Sequence, residues 1–376
     1  MKKKTICIVI LNRANFARIK SVIIKLKNQK DINLEVIIGG SAIIEKYGDV
    51  ENEIKSIGIK PYIKLLCVVD GTSLESMTKT VGVLLLEISS VFSKLKPDAV
   101  LTIADRHETI ATAIAARYMN ITLIHTQGGE VTGSIDNSVR NAISMMADYH
   151  FPATDKSKKR LIKMGIENKY IYNYGCPSLD ILTSINFGKK NLNQIMKLGV
   201  GDNIDFSKDY IVVLQHSDTD EFSSAKKQIT ETLLAIKFLK IQTIWLWPNV
   251  DAGSDIFSKE LRKFREKNKP KYLHFIKNLP PEVYANMIKQ SSCMVGNSSS
   301  AIREGSFLGI PAVNIGKRQK NREIASNVIN VDYDSLKIIN AIKKQFNKKN
   351  LPKNYLYGKG NSGILISQEI KKILIK

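Results

Sequence analysis

The chain has 376 residues, of which 43% are hydrophobic and 24% charged, a composition that excludes a disordered chain and allows two domains of ordinary size. Its formal net charge of +22 raises the possibility of a nucleic-acid partner. The basic residues are scattered, however, and no interleaving of aromatic and basic residues resembles an RNA-binding module. We therefore expect no nucleic-acid partner, although a diffusely basic surface would help to attract a diphosphate.

Neither the four cysteines nor the five histidines have the spacing of metal ligands, so no metal site and no cofactor are predicted. The apolar run near the amino terminus, Ile6–Leu11, is too short for a secretory signal or a membrane span. These features predict a cytoplasmic protein with free thiols and no membrane partner.

Apolar runs of strand length alternate with amphipathic segments of helix length through the first half of the chain. The predicted strands are Thr5–Leu11, Leu34–Gly39, Val100–Ile103, Thr122–His125 and Tyr149–Phe151. The predicted helices are Phe16–Lys27, Met77–Leu95, Glu108–Tyr118 and Ile135–Met146. This alternation is typical of a parallel sheet that is covered by helices on both faces.

The same alternation begins again after a polar stretch, Asn186–Lys208, which we interpret as a linker or insertion. The predicted strands are Tyr210–Leu214, Thr243–Trp247, Leu273–Ile276, Cys293–Val295 and Pro311–Ile315. The predicted helices are Gln228–Leu239, Ser258–Glu266, Val283–Ser291 and Ala301–Leu308. We predict an α/β fold of two Rossmann-like, doubly wound domains, residues 1–178 and 179–359, with an interdomain cleft at the carboxyl ends of the strands.

Functional residues in such folds gather just after the strands. Arg13 follows the first strand, where it either meets a phosphate or a base, or is a solvated loop arginine. The turn after the third strand, residues 105–108, carries four ionisable side chains in a row, including Asp105 and Arg106. Asp105 either caps the following helix or takes part in chemistry.

The stretch after the fourth strand is the densest in candidate residues. His125 and Glu130 bring groups capable of proton transfer, and the glycines around them would let the backbone approach a ligand closely. Asp136 and Arg140 are four residues apart and share one helix face. They form either a surface ion pair or part of a pocket, and the preceding Gly-Gly-Glu turn favours the pocket.

The second half has three candidate segments, which follow its predicted strands Tyr210–Leu214, Cys293–Val295 and Pro311–Ile315. His216 follows a buried strand and is either a structural histidine or a general acid or base. Gly-Asn-Ser-Ser-Ser at 296–300 follows another strand and opens a helix, so its N–H groups and hydroxyls predict a diphosphate site, although serine-rich turns also cap helices. The candidate ligand-binding residues of this half are Asn297, Ser298, Ser299, Ser300, Glu304, Arg318, Gln319 and Arg322.

Taken together, three segments resemble the hydrolysing UDP-N-acetylglucosamine 2-epimerases, which make N-acetylmannosamine or related sugars for sialic and legionaminic acid synthesis. The first segment is Asp-Arg-His-Glu at 105–108, and the second is the His-x-x-Gly-Gly-Glu pattern of 125–140 with its aspartate and arginine. The third is Gly-Asn-Ser-Ser-Ser followed by Gly-Ile-Pro-x-x-Asn-Ile-Gly-x-Arg-Gln at 309–319. The resemblance runs in order from the first strand to about Val331.

The resemblance implies a GT-B arrangement in which a C-terminal helix, residues 360–376, packs on the first domain of a homodimeric enzyme. It implies that a nucleotide-sugar loses its C2 proton and its nucleoside diphosphate to give a 2-acetamidoglucal, which adds water to yield the free 2-epimer. The implied or candidate catalytic residues are Asp105, Glu130, Asp136, Arg140 and His216. The remaining candidates for binding the substrate, besides those of the second half, are Arg13, Arg106, His125 and Gln127.

Gln127 departs from the family, whose members often carry glutamate at this position. Because Gln127 cannot ionise, either Glu130 or Asp136 carries the proton transfer, or the substrate or mechanism differs. A GT-B glycosyltransferase and a non-catalytic nucleotide-sugar binder are the rival functions, and the carboxylates of the first half favour proton chemistry over both. The base, uracil or guanine, and the sugar, N-acetylglucosamine or a 2,4-diacetamido-trideoxy relative, stay open at this point.

Overall fold

The structure is a computed structural model that describes residues 3–44, 50–71, 73–133, 135–188, 192–218, 221–248, 253–277, 279–348 and 351–375, without the side chains of Asn193 and Phe222. The chain divides into two compact units. The first unit, here the first domain, comprises Met1–Val131, Ile135–Thr183 and Tyr357–Lys376. The second unit, here the second domain, comprises Thr132–Ser134 and Ser184–Leu356.

A six-stranded parallel sheet in the order β3-β2-β1-β4-β5-β6, the order of a Rossmann fold, forms the centre of the first domain. Its strands are β1 (Lys4–Ile10), β2 (Ile32–Gly39), β3 (Ile63–Leu65), β4 (Ala99–Ile103), β5 (Thr122–Thr126) and β6 (Tyr149–Phe151). Its helices are α1 (Arg13–Lys27), α2 (Val50–Ser56), α3 (Leu74–Leu95), α4 (Thr109–Tyr118), α5 (Asp136–Met146) and α6 (Asp155–Lys163).

The five strands and four helices predicted for this half are confirmed, with small shifts at their ends. Three further elements, β3, α2 and α6, were not predicted. β3 has three residues, two of them exposed at the edge of the sheet, so it gives no apolar run. Six of the nine residues of α6 are charged, which hides its buried side, Ser157 and Leu161.

Residues 6–10 of β1 form an unbroken apolar run because both faces of the sheet are buried. Ile6, Ile8 and Ile10 belong to one core cluster, with side chains of α1. Cys7 and Val9 alternate with them and belong to a second cluster, with side chains of α3 and α4. A strand whose successive side chains enter two cores needs a continuous hydrophobic run, which is the pattern that the sequence shows.

A seven-stranded sheet in the order β13-β12-β11-β8-β9-β10-β7 forms the second domain. Its strands are β7 (Gly199–Gly201), β8 (Ile211–Leu214), β9 (Thr243–Leu246), β10 (Leu273–Ile276), β11 (Cys293–Gly296), β12 (Ala312–Ile315) and β13 (Val328–Val331). Its helices are α7 (Ala225–Leu239), α8 (Ser254–Asn268), α9 (Pro281–Gln290), α10 (Ser299–Ile302), α11 (Glu304–Leu308) and α12 (Ser335–Phe346). The five predicted strands and the first three predicted helices of this half are confirmed.

Two predictions for the second domain need correction. The predicted linker over residues 186–208 contains β7, which pairs antiparallel with β10 at the sheet edge. A Cβ on Gly199 would lie 2.2 Å from the Phe275 carbonyl oxygen, so glycine permits this close pairing but hides the strand from a composition-based prediction.

The single helix predicted over residues 301–308 is instead two short helices, α10 and α11, with Arg303 between them. The carbonyl oxygen of Ala301, which a continuous helix would bond to its own backbone, accepts a hydrogen bond from Nδ2 of Asn327 at 3.2 Å. The Ser306 hydroxyl also donates to the Arg303 carbonyl oxygen at 2.9 Å. Tertiary contacts therefore decide where this helix breaks.

The last helix, α13 (Ser362–Ile375), packs in the core of the first domain through Ile366, Ile370 and Leu374. The Asp180 carboxylate accepts hydrogen bonds from the N–H groups of Ser362, at 3.0 Å, and Gly363, at 2.5 Å, and so caps the start of this helix. In the part of the chain that the structure describes, none of the helices is long and apolar enough to cross a membrane.

Candidate functional site

Two adjacent strands of the first domain end in turns with unusual backbone geometry. Ala104 directly follows β4 and Gln127 directly follows β5, and both have a left-handed backbone, with φ of 61° and 63°. Their N–H groups donate to the carbonyl oxygens of Thr126, at 3.1 Å, and Phe151, at 2.8 Å. Non-glycine residues with positive φ are uncommon and cluster at functional sites, so the carboxyl edge of this sheet is a candidate site.

Asp105 lies between two arginines at this edge. Its Oδ2 accepts a hydrogen bond from Nη2 of Arg140, and its Oδ1 lies 3.7 Å from Nη1 of Arg18. The helix α4 begins at Thr109 and its N-cap is Glu108, so Asp105 does not cap it and the capping alternative is wrong. Arg18 was not predicted, because no local pattern distinguishes it from the other basic residues of α1.

Arg140 joins the two turns. Its side chain is 1% exposed, and besides the Asp105 carboxylate its guanidinium binds the Glu130 carbonyl oxygen, from Nη1 at 2.7 Å. The surface-ion-pair alternative is therefore wrong for Arg140. The structure thus brings Asp105, Glu130 and Arg140 together, and Asp136 lies half-buried one turn earlier on α5.

His125 is fully buried beneath these residues. Its Nε2 lies 2.8 Å from the Ala104 carbonyl oxygen and its Nδ1 lies 3.1 Å from the Ser144 hydroxyl on α5. Burial lowers the pKa of His125 to about 4, so the ring is neutral and Nε2 carries the proton that it donates to Ala104. Both ring nitrogens bind protein groups, and His125 connects the Asp105 turn to the helix that carries Arg140.

The glycines after His125 serve the packing of the domain. A Cβ on Gly128 would lie 2.7 Å from the Ser144 hydroxyl, and a Cβ on Gly129, whose φ is 76°, would lie 2.2 Å from the Ser157 carbonyl oxygen. Both glycines therefore let the turn approach α5 and α6 closely. That they also let the backbone approach a ligand stays a prediction.

The other first-domain candidates also have partners within the domain. Nε of Arg106 and Nδ1 of His107 lie 3.2 Å and 2.9 Å from the buried Glu108 carboxylate. Burial alone would raise the pKa of Glu108, but Arg106 and His107 outweigh it and hold that pKa well below its usual range. Nε of Arg13 lies 3.7 Å from the Glu53 carboxylate, and the Gln127 amide donates to the Cys176 sulfur at 3.5 Å.

In the second domain the ends of β8, β11 and β12 meet at Asn297. Its side-chain amide accepts from the His216 N–H at 2.7 Å and donates to the His216 carbonyl oxygen at 2.8 Å. Its own carbonyl oxygen accepts from Nε2 of Gln319 at 2.9 Å and from Nη1 of Arg318 at 3.4 Å. The structure thus brings His216, Asn297, Arg318 and Gln319 together around buried backbone.

The three serines lie half-buried at the start of α10. Ser298 is its N-cap, with Oγ accepting from the Ser300 N–H at 3.3 Å, while the Ser300 hydroxyl accepts from the Tyr284 hydroxyl at 2.7 Å. Because α10 has four residues, its dipole is small, and an anion here would be held by N–H groups and hydroxyls. Glu304 begins α11 half-buried, and Arg322 is buried in the loop after β12.

A pocket of about 280 Å³ lies beside the carboxyl ends of β12 and β13, with Lys317 and Tyr333 among its lining residues. This volume is close to the lower end of the usual range for ligand pockets, about 300–1,000 Å³. Across the described ranges of the chain, no group of three or more His, Cys, Asp or Glu residues is arranged to hold a metal ion.

Comparisons with known proteins agree with the resemblance seen in the motifs. The family model for UDP-N-acetylglucosamine 2-epimerase matches residues 24–371. A hydrolysing UDP-N,N'-diacetylbacillosamine 2-epimerase of Legionella pneumophila is 32% identical over 368 residues, covering 96% of this chain and 94% of that protein. A hydrolysing GDP/UDP-N,N'-diacetylbacillosamine 2-epimerase of Campylobacter jejuni is 32% identical over 340 residues, covering 89% of this chain and 86% of that protein.

The fold is also that of a solved structure, a UDP-GlcNAc 2-epimerase from Methanocaldococcus jannaschii in complex with UDP-GlcNAc and UDP. The TM-score is 0.83 at 19% identity, covering 98% of this chain and 99% of that chain. This likeness confirms the predicted α/β fold of the GT-B class, with two Rossmann-like domains. The match of the family model and the two bacterial relatives together show that the chain belongs to the UDP-N-acetylglucosamine 2-epimerase family.

Proposed function

We propose that the protein is a hydrolysing nucleotide-sugar 2-epimerase, which converts a UDP- or GDP-linked 2-acetamido sugar to the free 2-epimer and the nucleoside diphosphate. Family membership and the hydrolysing activity named for both bacterial relatives support this proposal. The observation that carries it is the buried cluster of Asp105, Glu130 and Arg140 at the carboxyl edge of the first sheet. The buried guanidinium binds the Asp105 carboxylate and the Glu130 backbone carbonyl oxygen, and it lies on the helix that also carries Asp136. Ionisable groups fixed at low exposure in this way suit proton transfer better than they suit simple binding.

In the proposed reaction a carboxylate removes the C2 proton, and the bond between C1 and the diphosphate oxygen breaks with its electron pair leaving on the diphosphate. A double bond between C1 and C2 then gives the 2-acetamidoglucal. Water adds its hydroxyl to C1, and a proton returns to C2 on the opposite face of the ring. The products are the free 2-epimer and the nucleoside diphosphate.

Asp136 is the proposed proton-transfer carboxylate. The charge of Asp105 is matched by Arg140 and Arg18, so Asp105 serves to fix the guanidinium between the two turns. Asp136 lies half-buried on the same helix as Arg140, and Glu130 is 3% exposed in the preceding turn. His216 of the second domain is the proposed second acid or base, because an imidazole titrates near neutral pH.

The nucleotide is assigned to the second domain. The hydroxyls and N–H groups of Ser298, Ser299 and Ser300 suit the diphosphate, and Glu304 suits the ribose hydroxyls. Arg13 of the first domain is proposed as a further contact to the nucleotide. Arg106, Arg318 and Arg322 are proposed as contacts to the substrate's negative charge.

Two sugars are candidates. N-acetylglucosamine is the sugar that names the family, whereas the two relatives at 32% identity are named for N,N'-diacetylbacillosamine, a 2,4-diacetamido sugar. These names favour the diacetamido sugar as a second candidate. Incubation with the UDP and GDP forms of both sugars, followed by measurement of nucleoside diphosphate release, distinguishes them.

The decisive experiment is turnover in D₂O with proton NMR of the sugar product. We expect free sugar without an added acceptor, and deuterium at C2, because that proton is exchanged with solvent. A product that retains its C2 proton would contradict the mechanism. Release of the diphosphate only with an acceptor sugar present, together with loss of turnover in EDTA, would favour a glycosyltransferase.

A further inference from the structure

Asn297 occupies an unusual position at the end of β11. The parallel pairing of β11 with β8 ends at Gly296 opposite Leu214, and the Asn297 N–H still donates to the Leu214 carbonyl oxygen at 3.2 Å. Beyond this point the Asn297 side chain continues the pairing, because its amide binds both the N–H and the carbonyl oxygen of His216. A side-chain amide has the same donor and acceptor groups as a peptide group, so it extends the hydrogen bonding between the two strands by one residue.

The close approach of these two strand ends requires a glycine, which the sequence provides at position 296. Gly296 has a φ of 130°, and a Cβ there would lie 2.1 Å from the Leu214 carbonyl oxygen. Only glycine permits this backbone, which brings Asn297 within reach of His216. The carbonyl oxygen of Asn297 is held in turn by Gln319 at 2.9 Å.

Asn297 therefore uses both polar atoms of its side chain on the backbone of His216, and the side chain is 0% exposed. We propose that Asn297 is a positioning residue that fixes the His216 backbone, and through it the imidazole, instead of a ligand of the nucleotide. This inference rests on the proposed function, in which His216 is an acid or base. It replaces the sequence-based expectation that Asn297 binds the substrate.

The test uses a double-mutant cycle with Asn297→Asp and His216→Ala. Asn297→Asp keeps the acceptor for the His216 N–H, but it removes the donor and sets a carboxylate oxygen against the His216 carbonyl oxygen. We expect the turnover number to fall about 10²-fold, the effect of a misplaced catalytic group, with UDP affinity unchanged. In the His216→Ala background the same substitution should lower the turnover number no further, because both changes act through one group.

Asn314→Asp is the matched control. Asn314 is also a buried asparagine, on the neighbouring strand β12, and its Nδ2 donates to Oδ1 of Asn330 at 2.9 Å. It should lower the melting temperature without changing the turnover number of the folded protein. If Asn297→Asp behaves in the same way, or if it weakens UDP binding and adds fully to His216→Ala, Asn297 is structural or a ligand and the proposal is overturned.

Hydrogen exchange of the His216 amide tests the positioning without any turnover. Asn297→Ala removes the acceptor, so the His216 N–H should exchange faster, whereas Asn297→Asp should keep its protection. Equal protection in the wild type and Asn297→Ala would contradict the inference. A wild-type enzyme inactive on every nucleotide-sugar would instead refute the proposed function, and a fully active His216→Ala would refute the role of His216 as an acid or base, while the exchange result still stands in both cases.

Discussion

The candidate sites of the two domains are built from different chemistry. In the first domain, charged side chains bind one another: Asp105 pairs with Arg140, and Glu108 with Arg106 and His107. In the second domain, neutral amides and hydroxyls bind backbone groups, as Asn297 does at His216 and Ser298 does at the start of α10. The first arrangement pairs charged side chains away from solvent, and the second fixes the backbone conformation of loops.

The difference indicates how each domain depends on its polar residues. A buried charge that loses its partner is strongly destabilising, whereas a neutral hydrogen bond contributes about 0.5–1.5 kcal/mol. We therefore expect the first domain to lose stability, as well as activity, when its site is altered. The second domain should lose chiefly the orientation or affinity of a bound group.

The largest expected effect is on catalysis. Asp136→Asn and His216→Ala should each lower the turnover number by about 10²–10⁴-fold while the protein stays folded and binds UDP, because each removes a positioned acid or base. Turnover, UDP affinity and melting temperature should be measured on the same preparations. Asp180→Asn is the control: its carboxylate caps α13, so it should lower the melting temperature and leave turnover intact. Near wild-type turnover in either site variant would refute its catalytic assignment.

The second effect is on stability. Arg140→Met should lower the free energy of unfolding by about 3–5 kcal/mol, because the buried Asp105 loses its main partner. The double variant with Asp105→Asn should recover part of that loss. In the second domain, Arg318→Met should lower it by about 1 kcal/mol, because Arg318 is half-buried and bonds a carbonyl oxygen at 3.4 Å. Urea denaturation measures both values, and equal losses would remove the contrast between the domains.

The third effect is a pH dependence. Burial lowers the pKa of His125 from its usual 6.5 to about 4, so between these values only the unfolded chain takes up the proton. The free energy of unfolding should therefore fall as the pH is lowered through this window, and the contribution of His125 is complete above it. His125→Gln should lack this part of the pH dependence. Thermal unfolding of the wild type and of the variant, measured at a series of pH values, shows the difference. Asn297→Ala, which removes no ionisable group, should leave the pH dependence of the wild type unchanged.

The smallest effect concerns the serine turn. Ser298→Ala should lower stability by about 1 kcal/mol through loss of the N-cap, and it should weaken UDP binding about tenfold if the hydroxyl meets the diphosphate. Asp334→Ala is the control, since Asp334 caps α12 in the same domain through the Lys337 N–H at 2.8 Å. Asp334→Ala should lower stability by a similar amount without changing the UDP affinity. Calorimetry measures the UDP affinity of both variants. Unchanged affinity in Ser298→Ala would place the diphosphate elsewhere.

The candidate site could be predicted in part from local sequence. Runs of polar residues directly after apolar strands marked Asp105, Glu130 and His216, because strand ends collect functional groups in such folds. The same patterns did not predict which side chains contact these residues. Arg18 on α1 contacts Asp105 from a distant part of the chain, and the residues around Arg18 carry no pattern that predicts this contact.

The sequence by itself determined the fold class and most strands and helices, because hydrophobic periodicity records which faces are buried. It also determined the family, through motifs that recur in order. Only the tertiary structure decided how the polar residues are used. His125 and Asn297 bind backbone groups within their own domains. Asn327 donates a hydrogen bond to the Ala301 carbonyl oxygen, at the end of α10. The physical reason is that a polar side chain satisfies whichever donor or acceptor the packed chain brings within about 3 Å, and packing joins segments far apart in sequence.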